Sequence, residues 1–229
     1  MKWRSLSESG AYSDMRPLRE IFAERKEAIA MYVPHDVQAV HTRAVAELQT
    51  TGLADRSLKV GDKSPSFEIP DHNGKPVSSS DLLSCGRLVL MFIRGRWCPF
   101  CVSQLEAMNF IAPEIAAKAA LVAISPQTEK QTFFMRDQHK LTFPVLVDAQ
   151  NKIARKFGLA YRVPEEQQGL YRSTFVNLPH VNGDPSWELP IPATFVLDRD
   201  GTILFASANE DYTDRPEPLR ILSAVEMAD

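Results

Sequence analysis

Residues 88 to 104 read LVLMFIRGRWCPFCVSQ and hold the strongest signal in the chain: a continuous apolar run, a turn with two cysteines, and the start of a helical pattern. The run Leu88 to Ile93 has the composition of a strand that is buried on both faces of a sheet. The helical pattern continues from Cys101 to Ala120. The stretch therefore predicts a central buried strand followed directly by a helix, with Cys98 and Cys101 in the first turn of that helix.

Strand and helix signals alternate on both sides of this stretch. A long polar stretch, Tyr161 to Pro190, predicts one further helix followed by a loop. Strands that alternate with helices imply right-handed crossovers and a mainly parallel central sheet. In chain order the other predicted elements are a hairpin turn at Asn73-Gly74, a short helix capped by the serines of SSSDLL (78–83), a strand at 121–125, a helix at 128–140, a strand at 143–148, a short helix at 151–158, an antiparallel hairpin at 194–206 and a closing helix at 216–228.

The amino-terminal part has a helical pattern instead of alternating strand and helix signals. From Met15 to Thr51 apolar residues recur at helical spacing, Pro34 is placed for the first turn of a second helix, and Gly52 is a natural stop. We therefore predict a helical N-terminal extension at residues 1–57, which coats the main domain or forms a dimer contact. The main domain is predicted at residues 58–229.

Charge and composition argue against several classes of partner. A net charge of −3 with both signs interspersed gives no electrostatic reason to expect a nucleic acid or a membrane surface. The longest apolar run is far shorter than the roughly 20 residues that a membrane-spanning helix requires. No apolar block follows the early Lys2 and Arg4, so no secretory signal is predicted and we expect a cytoplasmic protein.

The cysteine pair is suited to redox chemistry. A thiol becomes a strong nucleophile when it loses its proton, and a position at a helix N-terminus or beside a cation favours the thiolate. Cys98 and Cys101 lie in the first turn of the predicted helix, and the cations of Arg94 and Arg96 lie just upstream. Two thiols at this spacing can also close into an intramolecular disulfide, so oxidation of one can be resolved by the other.

Zinc is the main chemical alternative, since such a pair is also half of a structural zinc site, which normally needs four ligands. The remaining cysteine, Cys85, is separated from Cys98 by the predicted strand, which at ~3.3 Å per residue spans roughly 20 Å. His72, His139 and His180 show no ligand spacing. We therefore expect redox chemistry without a metal or a cofactor, and we interpret Cys85 as a bystander in a loop.

The order of these features resembles the thioredoxin fold, and more specifically the peroxiredoxin branch with its alkyl hydroperoxide reductase and thiol-specific antioxidant relatives. The resemblance is carried by KVGDKSPSFEIPDHNGKPVSSSDLL (59–83) ahead of LVLMFIRGRWCPFC (88–101), and by IPATFVLDRDGTILFA (191–206). It covers roughly residues 58 to 229. It implies an α/β, thioredoxin-like fold with a central mixed sheet flanked by helices, to which the helical N-terminal extension is added.

The chain departs from the peroxiredoxin pattern at the site itself. Peroxiredoxins carry Pro-x-x-x-Thr/Ser-x-x-Cys, in which the last residue attacks peroxide, and this pattern assigns the attack to Cys101. Arg94 then occupies the Pro position, Cys98 the Thr or Ser position, and Gln104 a position that is often Glu. The thioredoxin pattern instead makes Cys98 the exposed nucleophile and Cys101 the resolving cysteine. Both assignments remain open from the sequence.

The resemblance also suggests which residues contact the substrate. Donors are needed where negative charge develops between the peroxide oxygens, and the missing hydroxyl leaves Arg94, Arg96 and the amides of the helix turn to supply them. Trp97 is placed to shield the pair, and Gln104 to line the substrate site. Pro192 occupies a place where thioredoxin-like proteins often carry a cis proline that faces the cysteine turn.

The leading hypothesis is a thiol peroxidase that reduces hydrogen peroxide or organic hydroperoxides through a Cys98/Cys101 disulfide cycle and is recycled by thioredoxin or another dithiol reductant. One alternative is a thiol-disulfide oxidoreductase that acts on protein disulfides. A third is a redox-sensing module that does not turn over, for which the extension and the long polar loop would provide contact surfaces. We expect a homodimer, because peroxiredoxin relatives often associate.

Overall fold

The computed structural model describes residues 16–174 and 176–227, and its centre is a five-stranded mixed sheet. The strands are β1 (Glu68–Pro70), β2 (Pro76–Ser78), β3 (Arg87–Phe92), β4 (Ala119–Ser125), β5 (Val145–Val147), β6 (Ala160–Arg162), β7 (Glu188–Pro190), β8 (Ala193–Leu197) and β9 (Ile203–Ala208). The helices are α1 (Leu18–Tyr32), α2 (His35–Thr50), α3 (Leu53–Arg56), α4 (Ser79–Cys85), α5 (Pro99–Ala116), α6 (Glu129–Gln138), α7 (Lys152–Lys156), α8 (Glu165–Ser173), α9 (Leu178–Asn182) and α10 (Pro218–Glu226).

Strand β3 lies in the middle of the main sheet, whose order is β5-β4-β3-β8-β9. Every residue of β3 is buried, as the apolar run predicts. The β3–β4 and β4–β5 pairs are parallel, whereas β3–β8 and β8–β9 are antiparallel. The predicted mixed sheet is confirmed, but the expectation of a mainly parallel one is wrong, because the hairpin of β8 and β9 completes one side of the sheet.

Side chains of β3 alternate between two cores. Val89, Met91 and Ile93 point into the same core as the cysteine pair and α5. Leu88, Leu90 and Phe92 face the other core, where Phe92 lies 4.9 Å from Phe157 between ring centroids. The cysteine turn thus follows a strand that is buried along its whole length.

The predicted hairpin and helix cap ahead of β3 are both present. β1 and β2 pair antiparallel, and Gly74 has the positive φ of +77° that glycine adopts easily. Three residues rather than two form the connection, because the amide of Asp71 donates to the carbonyl of Lys75. At the start of α4, the Ser78 hydroxyl accepts from the amide of Ser80.

The N-terminal helices pack against the rest of the chain. Leu18, Ile21 and Phe22 of α1 are buried in the core that contains the cysteine pair, and the ring of Phe22 meets that of Phe100 edge-on at 5.1 Å. These contacts agree with the predicted coat. The boundary at residue 57 stays a prediction, and residues 1–15 of the extension lie outside the described residues.

Other sequence expectations need correction. Between residues 161 and 190, β6 and β7 form a short antiparallel pair that the sequence does not reveal, because three-residue strands are too short to show alternation. Cys85 is the last residue of α4 rather than part of a loop. In the part of the chain that the structure describes, no helix combines the length and apolar character needed to cross a membrane.

Candidate active site

The cysteine pair opens helix α5 at the end of β3. Cys98 is the N-cap residue of α5, and its carbonyl accepts from the amide of Val102 at 3.1 Å. Cys101 lies in the first helical turn, and the two thiols are free and hydrogen-bonded to each other. Only 1% of Cys98 and 0% of Cys101 is exposed, so both sulfurs lie below the protein surface.

A glycine is required just ahead of the pair. Gly95 has a φ of +140°, a conformation that residues with a Cβ rarely adopt. A Cβ at this position would also lie 2.7 Å from the side chain of Gln127 and 2.9 Å from Nε1 of Trp97. The close approach allows Gln127 to accept a hydrogen bond from the amide of Arg96 at 2.7 Å, which closes the turn.

The two thiols have opposite acidities. Burial raises the pKa of both, and for Cys98 the hydrogen bond to Cys101 raises it further, so the Cys98 thiol stays protonated at neutral pH. At Cys101 the effect of burial is exceeded by the hydrogen bond from Cys98 and by the charges of Arg215 and Arg94, which hold its pKa well below the usual range. Cys101 is therefore the more acidic thiol of the pair.

Arg215 is the cation that contacts this sulfur, with its Nη2 atom 3.6 Å from Cys101 Sγ. Its Nη1 atom donates to Oε1 of Gln104 at 3.3 Å, and its Nε and Nη2 atoms donate to the carbonyl of Tyr212. Gln104 in turn donates to Thr194 on β8 at 3.3 Å. Gln104 thus contacts Arg215 directly, and its predicted place in the substrate site stays a prediction.

Arg94 carries a buried guanidinium whose charge acts on both thiols, and 2% of its surface is exposed. Its Nη2 atom donates to the hydroxyl of Tyr171 at 2.6 Å, and its charge lies over the rings of Trp97 and Tyr212 at 4.7 and 4.1 Å. Its backbone amide hydrogen-bonds to Cys101. Nε and Nη1 of Arg94 have no hydrogen-bond partner among the described residues, so two charged donors are buried without an acceptor.

Aromatic side chains enclose Arg94 and keep water away from it. Burial raises the pKa of Tyr161 and Tyr171, and raises that of Tyr212 to about 12, so all three hydroxyls remain neutral. His41 of α2 packs against the rings of Tyr171 and Tyr212 at 6.0 and 6.2 Å. Burial and the charge of Arg94 lower the pKa of His41 to about 4, so this ring is neutral as well.

The structure places the other sequence-predicted residues at different distances from the chemistry. Trp97 is half-buried and packs on Tyr171 at 5.3 Å, next to the pair. Arg96 is exposed and its Nε atom donates to Oε1 of Gln131 at 2.7 Å, so its guanidinium lies at the surface. Pro192 is buried between β7 and β8, but the expected cis bond is wrong: the described chain contains no cis peptide, and here it continues extended in the more stable trans form.

Sequence reasoning missed several contributors, among them Arg215 and His41. Arg215 follows DYTD in a turn-rich segment with no motif around it, and His41 stands on a helix with no obvious relation to the cysteines. Both reach the site only through tertiary packing. Among residues 16–174 and 176–227, no group of three or more His, Cys, Asp or Glu side chains is arranged to hold a metal ion.

Comparisons with known proteins identify the family of the chain. The sequence pattern of the AhpC/TSA family matches residues 60–206, well over half of the chain. Rv1608c of Mycobacterium tuberculosis (strain ATCC 25618 / H37Rv), named as a peroxiredoxin, is 32% identical over 120 residues, which are 52% of this chain and 78% of that protein. The thiol-disulfide oxidoreductase ResA of Bacillus anthracis is 24% identical over 168 residues, 72% of this chain and 79% of that protein.

Among solved structures, peroxidoxin BcpB from Mycobacterium tuberculosis matches with a TM-score of 0.59 at 25% identity, covering 75% of this chain and 99% of that one. The family match extends from ahead of β1 through the cysteine turn and into β9, and the structural match confirms the thioredoxin-like fold expected from the sequence. The chain therefore belongs to the AhpC/TSA family and shares the fold of its peroxiredoxin relatives.

Proposed function

We propose that this protein is a thiol-dependent peroxidase in which Cys101 attacks hydrogen peroxide or an organic hydroperoxide and Cys98 resolves the product. The family and the structural neighbours support a thiol peroxidase. The observation that carries the finer assignment is the setting of Cys101, a buried thiol of lowered pKa in contact with Arg215 and close to the two unpartnered donors of Arg94.

The first step moves two electrons from the Cys101 sulfur to the peroxide. The thiolate attacks one peroxide oxygen, the O–O bond breaks, and the other oxygen leaves as hydroxide or alkoxide and takes up a proton. Cys101 becomes a sulfenic acid. The sulfur of Cys98 then attacks that of Cys101, an S–S bond forms, and the sulfenic oxygen leaves as water with the Cys98 proton.

Arg94 and the helix turn are placed to stabilise the charge that develops on the leaving oxygen. The guanidinium is buried and already held by Tyr171 and two aromatic rings, so it needs little reorganisation. Its free Nε and Nη1 groups supply the donors that a Thr hydroxyl supplies in the common peroxiredoxin pattern. The aromatic surroundings exclude water, so these electrostatic interactions are screened less and are stronger than in bulk water.

Disulfide exchange with protein substrates is the second candidate, and the relatedness to ResA favours it. In that mechanism Cys98 would be the exposed nucleophile. It is instead 1% exposed, and burial together with Cys101 raises its pKa. A protein disulfide cannot reach such a sulfur without opening of the turn, whereas a peroxide is a few atoms in size. These facts favour the peroxidase over the oxidoreductase.

The cycle closes when the turn opens and a dithiol reductant, thioredoxin or another, reduces the Cys98–Cys101 disulfide. This step fits a reducing compartment such as the cytoplasm. Resolution inside one chain needs no second subunit, so the homodimer expected from the relatives is a separate part of the proposal. We also retain the division into an extension at residues 1–57 and a peroxiredoxin-like domain at residues 58–229.

Stopped-flow tryptophan fluorescence tests the proposal, because Trp97 adjoins the pair. Reduced wild type, Cys98→Ser and Cys101→Ser are mixed with hydrogen peroxide, with Cys85→Ser as the control for a cysteine outside the site. We expect a fast second-order change in wild type, Cys98→Ser and Cys85→Ser that is absent in Cys101→Ser. A change no faster than that of free cysteine, together with rapid reduction of insulin disulfides, would favour disulfide exchange instead.

A further inference from the structure

The loop at residues 209–217, here called the arginine loop, connects β9 to α10 and reaches the cysteine pair. It carries Arg215, whose Nη2 atom lies 3.6 Å from Cys101 Sγ. It also carries Tyr212, whose ring lies against the guanidinium of Arg94 at 4.1 Å. One loop outside the residues that match the family pattern therefore sets the position of one site cation and contacts the other.

Two carboxylates tie the arginine loop to the N-terminal extension. Glu217 accepts from the amides of Leu18 and Arg19 at 2.9 Å each, at the first turn of α1. The N-cap residue of α1 is a proline without a side-chain cap, so Glu217 satisfies two helix amides that the extension itself does not. Glu210 accepts from the amide of Ala54 in α3 at 2.6 Å. Hydrogen bonds to an ionised acceptor are stronger than neutral ones.

The connection from Glu217 to Arg215 is short and stiff. The local sequence is Arg215-Pro216-Glu217-Pro218, and both prolines are buried. Each proline fixes its own φ and restricts the residue before it to extended conformations. A displacement of Glu217 is therefore transmitted to Arg215 rather than absorbed by rotation of the backbone between them.

We propose that the N-terminal extension, through Glu217 and Glu210, positions Arg215 against Cys101 and thereby sets the reactivity of that thiol. Glu217 is the principal positioning residue. This inference deepens the proposed function, but it concerns the ionisation of Cys101 and is testable without any peroxide. The competing explanation is that bonds inside the loop, such as those that Asp211 accepts from Thr213, hold Arg215 without help from the extension.

The test follows the thiolate absorbance at 240 nm from pH 4 to 8.5 in the full-length reduced protein that carries Cys85→Ser. Cys101→Ser in the same background identifies the signal of that thiol. The titratable and charged groups that surround the pair are Arg94, Tyr161, Tyr171, Tyr212 and Arg215. The charge of Arg94 also lowers the pKa of His41. The tyrosines stay neutral over this range because burial raises their pKa.

We expect Glu217→Ala to raise the midpoint of the Cys101 titration by about half to one pH unit, a roughly three- to tenfold loss of thiolate at pH values well below the midpoint. Glu217→Gln keeps one acceptor and should give a smaller shift. The matched control is Glu226→Gln, which removes a carboxylate of α10 that pairs with Lys118 at the surface. This control should leave the midpoint unchanged.

A double variant separates positioning from a general structural effect. In the background of Arg215→Met, Glu217→Ala should produce no further shift, because the cation that it positions is gone. An equal shift in that background overturns the proposal, as does a lowered melting temperature with an unchanged midpoint. If Glu217→Ala does not fold, Glu210→Ala and Glu217→Gln decide the matter, and unchanged midpoints in both overturn the proposal.

Discussion

Replacing Arg215 by Met should raise the pKa of Cys101, because it removes a charge that contacts the sulfur while keeping most of the side-chain volume. At 3.6 Å a pair of unit charges is worth about 4–5 kcal/mol at an effective dielectric constant near 20, and about 1 kcal/mol in bulk water. Arg215 is half-buried, and water would enter the space that it leaves. We therefore expect a net effect of about 1–3 kcal/mol, which corresponds to a shift of about 1–2 pH units.

The assay is the thiolate absorbance of the Cys85→Ser protein as a function of pH, read together with the peroxide rate constant at pH 7. The rate should fall by about tenfold or more and should recover in part at higher pH, because raising the pH restores the thiolate that Arg215 otherwise stabilises. The matched control is Arg220→Met, since Arg220 is exposed and its charge lies over Phe205. A midpoint that stays within about 0.3 units of wild type would refute the assignment of Arg215 as the activating cation.

Three further predictions concern the rest of the site. Arg94→Met should lower the peroxide rate constant by about 10²–10³-fold even at a pH where Cys101 is fully ionised, as expected for loss of a transition-state donor; full recovery of the rate at high pH would contradict this role. Gly95→Ala should destabilise the fold by roughly 2 kcal/mol or more, measured by urea unfolding, because a Cβ at a φ of +140° would lie 2.7 Å from Gln127. The neutral His41 should make the free energy of unfolding fall as the pH drops from about 6.5 to about 4, because its pKa is lowered to about 4 in the folded state and the unfolded chain takes up the proton first. His41→Phe should reduce that slope, whereas the same change at the exposed His35 should not.

The central strand and the cysteine turn were predictable because their signals are local and dense. A six-residue apolar run, a glycine, two cysteines and a proline at the first helical position each determine backbone geometry over a few residues. The antiparallel half of the sheet was harder to predict from the sequence, since the direction in which β8 pairs with β3 depends on the whole chain. The three-residue strands β6 and β7 carry no periodicity at all.

The order in which the cysteines react was open in the sequence for a physical reason. Two thiols in one helical turn have similar local surroundings, and the contact that Arg215 makes with the Cys101 sulfur comes from a residue 114 positions away along the chain. His41 likewise meets Tyr171 and Tyr212 only after folding. Such contacts are created by packing, and no spacing rule in a single sequence indicates them.

The packing of α1 into the core that contains the cysteine pair has a consequence for the redox potential of the protein. Leu18, Ile21 and Phe22 share that core with Cys98 and Cys101. Docking of the helix and formation of the disulfide therefore both change the packing of the same core. By thermodynamic reciprocity, if formation of the disulfide weakens docking by some factor, undocking shifts the dithiol-disulfide equilibrium by the same factor. Any partner that binds the undocked helix would then also change how readily the pair is reduced.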